Sequence, residues 1–282
     1  MSSLREIKDR IASVKGTLKI TSAMKLVASA KLRKSQNAID NMRPYEALLK
    51  SVLSKLPSAA GAGVSSMDSS SGKVAVLVLS SNSSLCGGFN ANVEKAAKSC
   101  LDGILSEGRT AVVYAAGRKV ADYLKKSGFA PYKTFNQLCA NPAYEPAAEL
   151  AEELLDGFRR GEFERVELVY NHFAGMSNQK PVVETYLPFA VQPAEENEAQ
   201  EYIIEPDEQE LLEELLPKVL KLKIYTVFLD SVAAEHAARM IAMQTATDNG
   251  EELLKDLTLE YNKGRQQKIT TELLDLVGGQ QE

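Results

Sequence analysis

The sequence is poor in the residues that bind metals or form disulfides. Its 282 residues include three cysteines and two histidines. Cys86, Cys100 and Cys139 are odd in number and show no Cys-x-x-Cys spacing, which is typical of reduced thiols in a cytosolic protein. These thiols do not combine with His172 and His236 into a recognisable set of metal ligands. We therefore expect free thiols and no metal site.

Motifs that hold nucleotide phosphates are also missing. Cys86-Gly87-Gly88 follows a predicted strand, but a dinucleotide fingerprint needs three glycines in the spacing GxGxxG. Ser71-Gly72-Lys73 lacks the upstream glycine of a phosphate-binding P-loop. No Ser/His/Asp arrangement is identifiable, and both histidines are interpreted as structural. The sequence thus predicts no cofactor and no catalytic residue, and it favours a tight turn or a partner contact for the glycine-rich loop.

No apolar run is long enough to cross a membrane. The longest, Val74–Leu79, is far shorter than the roughly 20 residues that a membrane-spanning helix needs. Ser3–Glu6 has the form of a capping box, so the chain is predicted to begin directly with a helix. Such a start favours neither a signal peptide nor a transit peptide. We expect membrane association only through a partner.

Positive charge is concentrated in the N-terminal part of the chain. The formal net charge of the whole sequence is −5. Residues 1–50 contain eleven basic and four acidic side chains, a balance of +7 that leaves −12 for the remainder. A basic helix on an acidic protein indicates an acidic partner. Because a dedicated nucleic-acid-binding protein would more often be basic overall, we expect no nucleic acid among the partners.

The N-terminal 56 residues have the pattern of a coiled-coil helix. Over Leu4–Leu56, apolar side chains recur at alternating spacings of three and four residues. Pro44 interrupts this pattern and predicts a kink or break near Arg43. Over Ile20–Ala30, apolar side chains extend around most of the helix, which indicates enclosure on more than one side. Two explanations remain open: a wider contact with a partner helix, or a second protein that surrounds this segment.

The C-terminal region, residues 207–282, is predicted to be helical. We expect a short capped helix over Asp207–Leu216 and a long helix from about Lys218 to Val277, with Pro217 at its start and glycines at its end. A helix of about 60 residues is roughly 90 Å long, at 1.5 Å per residue. Because this length exceeds the diameter of a small domain, the helix needs a partner helix or a surrounding assembly.

Between the two helical regions, strands alternate with helices. We interpret residues 57–72 as a flexible linker, residues 73–190 as a globular domain and residues 191–206 as an acidic linker. The apolar run Val74–Leu79 is typical of a strand buried on both faces. The alternation predicts right-handed crossovers and a Rossmann-like, mostly parallel sheet. Further strands are predicted at Thr110–Ala115, Val166–Tyr170 and Pro181–Leu187, and helices at residues 91–106, Arg118–Lys126 and Pro146–Arg160.

The order of these parts predicts the fold class. An α/β head domain is inserted between two long terminal helices, one of which enters the domain while the other leaves it. If the helices lie side by side they must run antiparallel, so we expect an antiparallel coiled coil attached to the head. A rod of this kind without a catalytic set favours a mechanical or scaffolding role.

Long motifs lie at both ends of the chain: Lys19–Ala28, Lys31–Lys34, Arg239–Met243, Ala246–Gly250, Leu259–Gln266 and Ile269–Leu273. These motifs resemble those of a known family, the gamma subunit of F-type ATP synthases. Ser84–Asn90 also resembles the loop that follows the first strand in this family, and the similarity spans the whole chain in order. The polar residues Asn82-Ser83-Ser84 depart from the acid and arginine that many relatives carry, so contacts there with a membrane ring are in doubt. The photosynthetic dithiol insertion is absent, so no thiol switch is expected.

The resemblance implies the central rotor shaft of a synthase. The coiled coil would enter the hexamer of alternating alpha and beta subunits, and the head would contact the epsilon subunit and the membrane ring of c subunits. Ion flow would turn the ring and the shaft, and the shaft would drive the beta subunits through their nucleotide-binding states. This chain would then be a non-catalytic subunit, peripheral to the cytoplasmic side of a bacterial plasma membrane.

The resemblance also implies which residues contact partners. Met24, Lys25 and the basic residues near them would face an acidic loop of a beta subunit. Arg265 and Gln266 would form hydrogen bonds with beta, the apolar end of the last helix would turn in a collar formed by the hexamer, and Leu85–Gly88 would lie near the c-ring. The predicted contact residues are Met24, Lys25, Arg33, Arg239, Arg265, Gln266, Thr270, Glu272, Leu85, Cys86, Gly87 and Gly88.

Two other functions remain open. A coiled-coil scaffold unrelated to the synthase would explain the rod but not the terminal motifs. The other hypothesis is a nucleotide-dependent enzyme built on the α/β head, although the sequence contains no recognisable phosphate-binding loop.

Overall fold

A computed structural model describes residues 4–54, 63–64, 72–176, 178–190 and 207–278. Long helices begin and end this part of the chain, and a mixed sheet with shorter helices lies between them in sequence. The elements are α1 (Leu4–Ser54), β1 (Gly63–Val64), β2 (Lys73–Leu79), α2 (Phe89–Ser106), β3 (Thr110–Ala116), α3 (Arg118–Lys126), β4 (Lys133–Thr134), α4 (Asn136–Ala140), α5 (Tyr144–Arg159), β5 (Arg165–Gly175), β6 (Asn178–Leu187), β7 (Phe189–Ala190) and α6 (Glu208–Gly278).

The chain divides into two compact units. Unit 1 consists of Met1–Ala28 and Arg239–Glu282, and unit 2 consists of Ser29–Ala238. Both α1 and α6 contribute residues to each unit. The prediction of an α/β domain with long helices at both ends is confirmed.

Unit 2 is built on a five-stranded sheet in the order β4-β3-β2-β5-β6. The β2–β3, β2–β5 and β3–β4 pairs are parallel, as the alternating strands and helices predict. The β5–β6 pair is antiparallel, because these strands follow one another closely and form a hairpin. Strand β5 ends later than predicted and strand β6 begins earlier, because the hairpin continues past the edge of the parallel part of the sheet.

The central strand β2 separates two apolar cores within unit 2. Ala75, Leu77 and Leu79 pack into a core formed with α5, α6 and the end of α1, whereas the alternate residues pack against α2 and α3. Its six residues Val74–Leu79 have no exposed surface. Burying each valine or leucine in this way stabilises the fold by about 1.5–3 kcal/mol. The strand is therefore continuously apolar because it has no solvent face.

Within unit 1, the N-terminal segment of α1 and the C-terminal segment of α6 lie side by side in antiparallel order. The hydroxyl oxygens of Thr21 and Thr247 are 2.9 Å apart. Further along, Leu18 packs at Gly250, where an added Cβ would lie 2.7 Å from its Cδ2 atom. Near the start of α1, Leu4 packs at Gly264, where the same distance would be 3.0 Å. The contact residues in α6 therefore move towards its C-terminus as those in α1 move towards its N-terminus, so the two segments are antiparallel. Glycine occupies the two positions in α6 against which a leucine of α1 packs.

Pro44 and Pro217 both lie inside continuous helices. The break predicted near Arg43 is wrong, because α1 continues through Pro44 and the residues that follow, Leu49 and Leu53, are fixed in the core of unit 2. The predicted short helix and the long helix are a single element, α6, which begins at Glu208 and continues through Pro217. The start itself was anticipated: Asp207 caps the helix by accepting the Glu210 amide at 2.8 Å.

Several short elements were not predicted. Gly63 and Val64, inside the predicted linker, pair with Ala190 and Phe189 in a second, two-stranded sheet. The strand β4 and the helix α4 were also missed. The capping serine Ser3, the rest of the 57–72 linker except Gly72, and the 191–206 linker lie outside the described residues.

The glycines of unit 1 offer a matched test of the helix contact. We expect Gly16→Ala to raise the free energy of unfolding by up to about 1 kcal/mol, because alanine favours helix and the site is open. Gly250→Leu should lower the free energy of unfolding by about 1–3 kcal/mol, because its side chain would collide with Leu18. Thermal and urea unfolding followed by circular dichroism would measure both. Gly16→Leu is the control, and equal effects of leucine at the two positions would contradict the contact.

Candidate partner-binding surfaces

The loop after β2 is fixed by polar contacts that also cap α3. The Val120 amide donates to the Ser80 hydroxyl at 3.0 Å, and the Lys119 amide donates to the Ser81 carbonyl at 3.2 Å. A Cβ on Gly117, whose φ is +108°, would lie 2.4 Å from the Ser80 carbonyl oxygen. Glycine is therefore required at this approach. The loop supplies the partners that the first amides of α3 would otherwise lack.

Asn82 connects three parts of this region. Its Nδ2 atom donates to the Asn136 carbonyl at 2.7 Å, and its Oδ1 atom accepts the Arg118 amide at 3.0 Å. The asparagine that departs from the family's pattern thus holds the loop to the starts of α3 and α4. Sequence reasoning missed this role, although an asparagine among serines after a buried strand is a common signal for backbone capping.

The predicted contact loop Leu85–Gly88 has one exposed apolar side chain and one buried thiol. Leu85 has φ +66° and 60% of its surface exposed. Cys86 is 1% exposed. Gly87 has φ +57°, a conformation that glycine adopts without strain, and both it and Gly88 are exposed. The loop therefore presents Leu85 and two glycine backbones outward while Cys86 anchors it.

The crevice at the carboxyl ends of β2 and β5 is filled by the chain itself. In this sheet the strand order reverses between these two strands, which is where nucleotides bind in many α/β proteins. Here Cys86 and Phe89 pack with Phe173 and with Ala234 and Ala238 of α6. Residues of α6 thus pack against the loop that follows β2.

A hydrogen-bonded carboxylate fastens α6 beside this crevice. Asp230 accepts the Phe173 amide at 3.1 Å, and its other oxygen lies 2.6 Å from His172 Nδ1. Asn171, which is fully buried, donates from Nδ2 to the Phe89 carbonyl at 2.9 Å. His172 therefore joins β5 to α6 through Asp230.

In unit 1, the apolar segment of α1 is covered on one side only. Thr21 and Ala28 are buried, and the predicted contacts Met24 and Lys25 are half-buried. Large apolar side chains remain outside this contact: Ile20, Leu26 and Val27 are 62%, 70% and 57% exposed. We call these three the N-terminal apolar face. The contact between the two helices of unit 1 therefore leaves part of the apolar surface of this segment exposed.

The α6 segment Arg265–Leu274 is uncovered on every side. All residues from Arg265 to Leu274 are exposed, including the apolar Ile269, Leu273 and Leu274. We call this the exposed α6 segment. It contains four predicted contacts, Arg265, Gln266, Thr270 and Glu272. Its internal bonds are local: the Thr270 hydroxyl donates to the Gln266 carbonyl at 2.9 Å, and Glu272 lies 3.7 Å from Lys268.

The remaining two predicted contacts lie in different environments. Arg33, in the part of α1 that belongs to unit 2, is exposed. Arg239, in unit 1, is 8% exposed, so the chain itself covers most of its side chain.

Cys86, Cys100 and Cys139 form no disulfide. Burial raises the pKa of Cys100 to about 11, with a further contribution from Glu167. Burial raises the pKa of Cys139 still further above its ordinary value, and Glu235 adds to the effect. Both groups are therefore neutral thiols at physiological pH.

Among the described helices, none combines the length and the apolar character that crossing a bilayer requires.

Solved structures of ATP synthase assemblies contain chains with the same fold. One is from the Euglena gracilis mitochondrial ATP synthase, in a structure of the OSCP/F1/c-ring part in rotational state 3. Its TM-score is 0.68 at 20% sequence identity, and the match covers 98% of this chain and 93% of that chain. Another is from the central stalk and c-ring of the Tetrahymena thermophila mitochondrial ATP synthase, with a TM-score of 0.57 at 20% identity, covering 80% of this chain and 99% of that one. The fold is therefore of the class found in these stalk and rotor structures.

Sequence comparison identifies the family. A family model described as ATP synthase matches residues 3–281. The ATP synthase gamma chain of Phocaeicola vulgatus is 49% identical over 286 residues, and that of Bacteroides thetaiotaomicron is 46% identical over 297 residues, with 99% of each chain covered in both cases. The chain belongs to the ATP synthase gamma chain family. The comparisons give no support to an unrelated scaffold.

The role of Asn82 can be tested by a matched substitution. We expect Asn82→Ala to lower the free energy of unfolding by about 1–3 kcal/mol, because it leaves the Asn136 carbonyl and the Arg118 amide without their partner. Asn92→Ala, on an exposed face of α2, is the control and should change stability little. Urea unfolding measures both variants. If Asn82→Ala were as stable as the control, the bridging role would be wrong.

Proposed function

We propose that this chain is the non-catalytic central-stalk subunit of a bacterial F-type ATP synthase. It would transmit rotation of the membrane c-ring to the hexamer of alpha and beta subunits, where catalysis takes place. Its other partner would be the epsilon subunit. It would be peripheral to the cytoplasmic side of the plasma membrane and held there by these partners.

The observation that carries this proposal is the exposed α6 segment. A helix that is uncovered on all sides gains no tertiary packing, and packing supplies most of the stability of helices in proteins. Arg265–Leu274 nevertheless presents Ile269, Leu273 and Leu274 to solvent. A surrounding protein would bury these side chains, at about 1.5–3 kcal/mol each when burial is complete. A collar formed by the hexamer would bury them in this way.

The N-terminal apolar face supports the same interpretation. Ile20, Leu26 and Val27 remain exposed beside Met24 and Lys25, within the segment of +7 charge. Apolar side chains next to basic ones fit a partner surface that is apolar and acidic, such as the beta-subunit loop expected there. Exposed ion pairs contribute only about 0–1 kcal/mol each. Torque would therefore depend on shape and on many contacts rather than on one charge pair.

A coiled coil is the pairing that we propose for the terminal helices. The contacts of Leu4, Leu18 and Thr21 with α6 follow in reverse order. Leu4 and Leu18 are 14 residues apart, as are Gly250 and Gly264. That separation equals two heptads, so the same face of each helix returns to the contact.

The loop Leu85–Gly88 is proposed as the contact with the c-ring. Leu85 supplies exposed apolar surface, and the exposed glycines Gly87 and Gly88 would let another backbone approach closely. Asn82 is committed to the Asn136 and Arg118 backbones. The loop's contribution would therefore come from Leu85 and the glycines rather than from the polar residues before them.

Copurification and a paired substitution test the proposal. A tag on this chain should recover alpha, beta and epsilon subunits from membranes of the source organism. We expect Arg265→Ala combined with Gln266→Ala to weaken coupling, so that ATP synthesis in membrane vesicles falls while the isolated chain unfolds at an unchanged temperature. Lys98→Ala combined with Ser99→Ala, on the exposed surface of α2, is the matched control.

Two results would contradict this function. Recovery of unrelated proteins alone would rule out the synthase. If the Arg265/Gln266 double variant supported the same rate of ATP synthesis as the control, the proposed contacts with the beta subunit would be wrong.

A further inference from the structure

A cavity in unit 2 has no part in the proposed contacts. It lies between α1, the short loop that joins α4 to α5, and α6, and its volume is about 170 Å³. Lys31, Lys34 and Ser35 line it from α1, Asn141 from the loop, and Tyr225 and His236 from α6. A single water needs about 10–15 Å³ of such space, so the cavity has room for a small polyatomic ion.

The cavity is lined by basic side chains and by no acidic ones among the described residues. Lys31 and Lys34 are one helical turn apart and therefore lie on the same face of α1. None of the described residues that line the cavity is acidic. Elsewhere in unit 2 lysines lie close to glutamates: Lys133 is 2.7 Å from Glu153, and Lys223 is 2.8 Å from Glu184. Within the described parts of the chain, Lys31 and Lys34 have no such carboxylate partner.

Polar groups that can hydrogen-bond an anion complete the lining. Ser35 and His236 are more than nine-tenths buried, with 8% and 7% of their surface exposed. Asn141 and Tyr225 each carry a side-chain donor. Hydroxyl, amide and ammonium donors around one space are the chemistry that binds tetrahedral oxyanions.

The start of α5 adds positive potential. This helix has 16 residues, and no side chain caps its N-terminus at Ala143. The cavity-lining loop leads directly into that end through Asn141 and Pro142. The N-terminus of a helix carries a partial positive charge and amides that favour anions. The acid of its first turn, Glu145, is not among the described residues that line the cavity.

We propose that this cavity binds a phosphate-class oxyanion, held by Lys31 and Lys34 and by the donors of Ser35 and Asn141. The bound anion ties α1 to the loop before α5, and so stabilises unit 2. The volume fits orthophosphate itself, whereas a nucleotide could insert only its terminal phosphate. The site is argued from unit 2 alone and does not depend on the proposed function.

Calorimetric titration of the purified full chain with orthophosphate tests the proposal, at constant ionic strength in chloride. We expect saturable binding and a rise in unfolding temperature, because a ligand of the folded state shifts the unfolding equilibrium. Lys31→Gln combined with Lys34→Gln should weaken binding by about tenfold or more. Lys125→Gln combined with Lys126→Gln removes the same charge from α3 and should leave the affinity unchanged.

A second variant separates the cavity from general charge effects. Ala38 also lines the cavity, and Ala38→Leu fills the space without changing charge. It should abolish phosphate binding, and it decides the outcome if the double lysine variant fails to fold. ADP or ATP that competes with orthophosphate, and loses affinity in the same variants, would identify a nucleotide as the source of the phosphate and support the site.

Three results would overturn the proposal. Phosphate could bind the double lysine variant as tightly as the control, or Ala38→Leu could leave binding intact. A glutamate-rich peptide could bind at Lys31 and Lys34 while orthophosphate shows no saturable binding, which would make this surface a protein contact instead.

Discussion

The contact between leucines of α1 and glycines of α6 sets the register on which the function of unit 1 depends. Leu4 meets Gly264 and Leu18 meets Gly250, and the Thr21 and Thr247 hydroxyls adjoin them. A slip of one residue would bring a larger side chain against each leucine and separate the buried hydroxyls. The register in turn determines which faces of the two helices remain outside the contact. The N-terminal apolar face is what this pairing leaves exposed in α1.

Much of this architecture could be read from apolar spacing. The apolar side chains that are buried in the described part of α1, such as Ile7, Ala28 and Leu32, fall on the predicted spacing of three and four residues. The central strand and the helix Arg118–Lys126 were also located correctly, because a run buried on both faces and an amphipathic helix are both strong patterns. These features depend on periodicity over many residues, which local sequence records well.

Other features depend on contacts that are distant in sequence. Pro217 was expected to begin a helix, but it lies inside α6. Apolar residues on both sides of it, such as Leu216 and Val219, lie in one core. Packing there outweighs the loss of one backbone hydrogen bond. The strands β1, β4 and β7 have two residues each, too few to show a period. The antiparallel strand β6 follows from a tight connection rather than from its composition.

The candidate surfaces were predictable to different degrees. Family motifs pointed to the exposed α6 segment, and its exposure on every side agrees with a surface kept for partners. The same motifs included Arg239 and Cys86, which the chain itself largely covers. From the sequence, Asn82 is only a departure from the family's pattern. In the structure its side chain bonds the backbones of Asn136 and Arg118, contacts that no sequence pattern reveals. Likewise, the cavity beside Lys31 and Lys34 depends on three elements that meet only in the folded chain.

Cysteine cross-linking within unit 1 tests the antiparallel register most directly. Thr21→Cys combined with Thr247→Cys places two thiols where two hydroxyls are 2.9 Å apart. Under mild oxidation this pair should form an intramolecular disulfide rapidly, as measured by mass spectrometry of the digested chain. Thr21→Cys with Leu254→Cys, a pairing displaced by about two turns of α6, should remain reduced. Preferential cross-linking of the displaced pair, or none in either, would contradict the account.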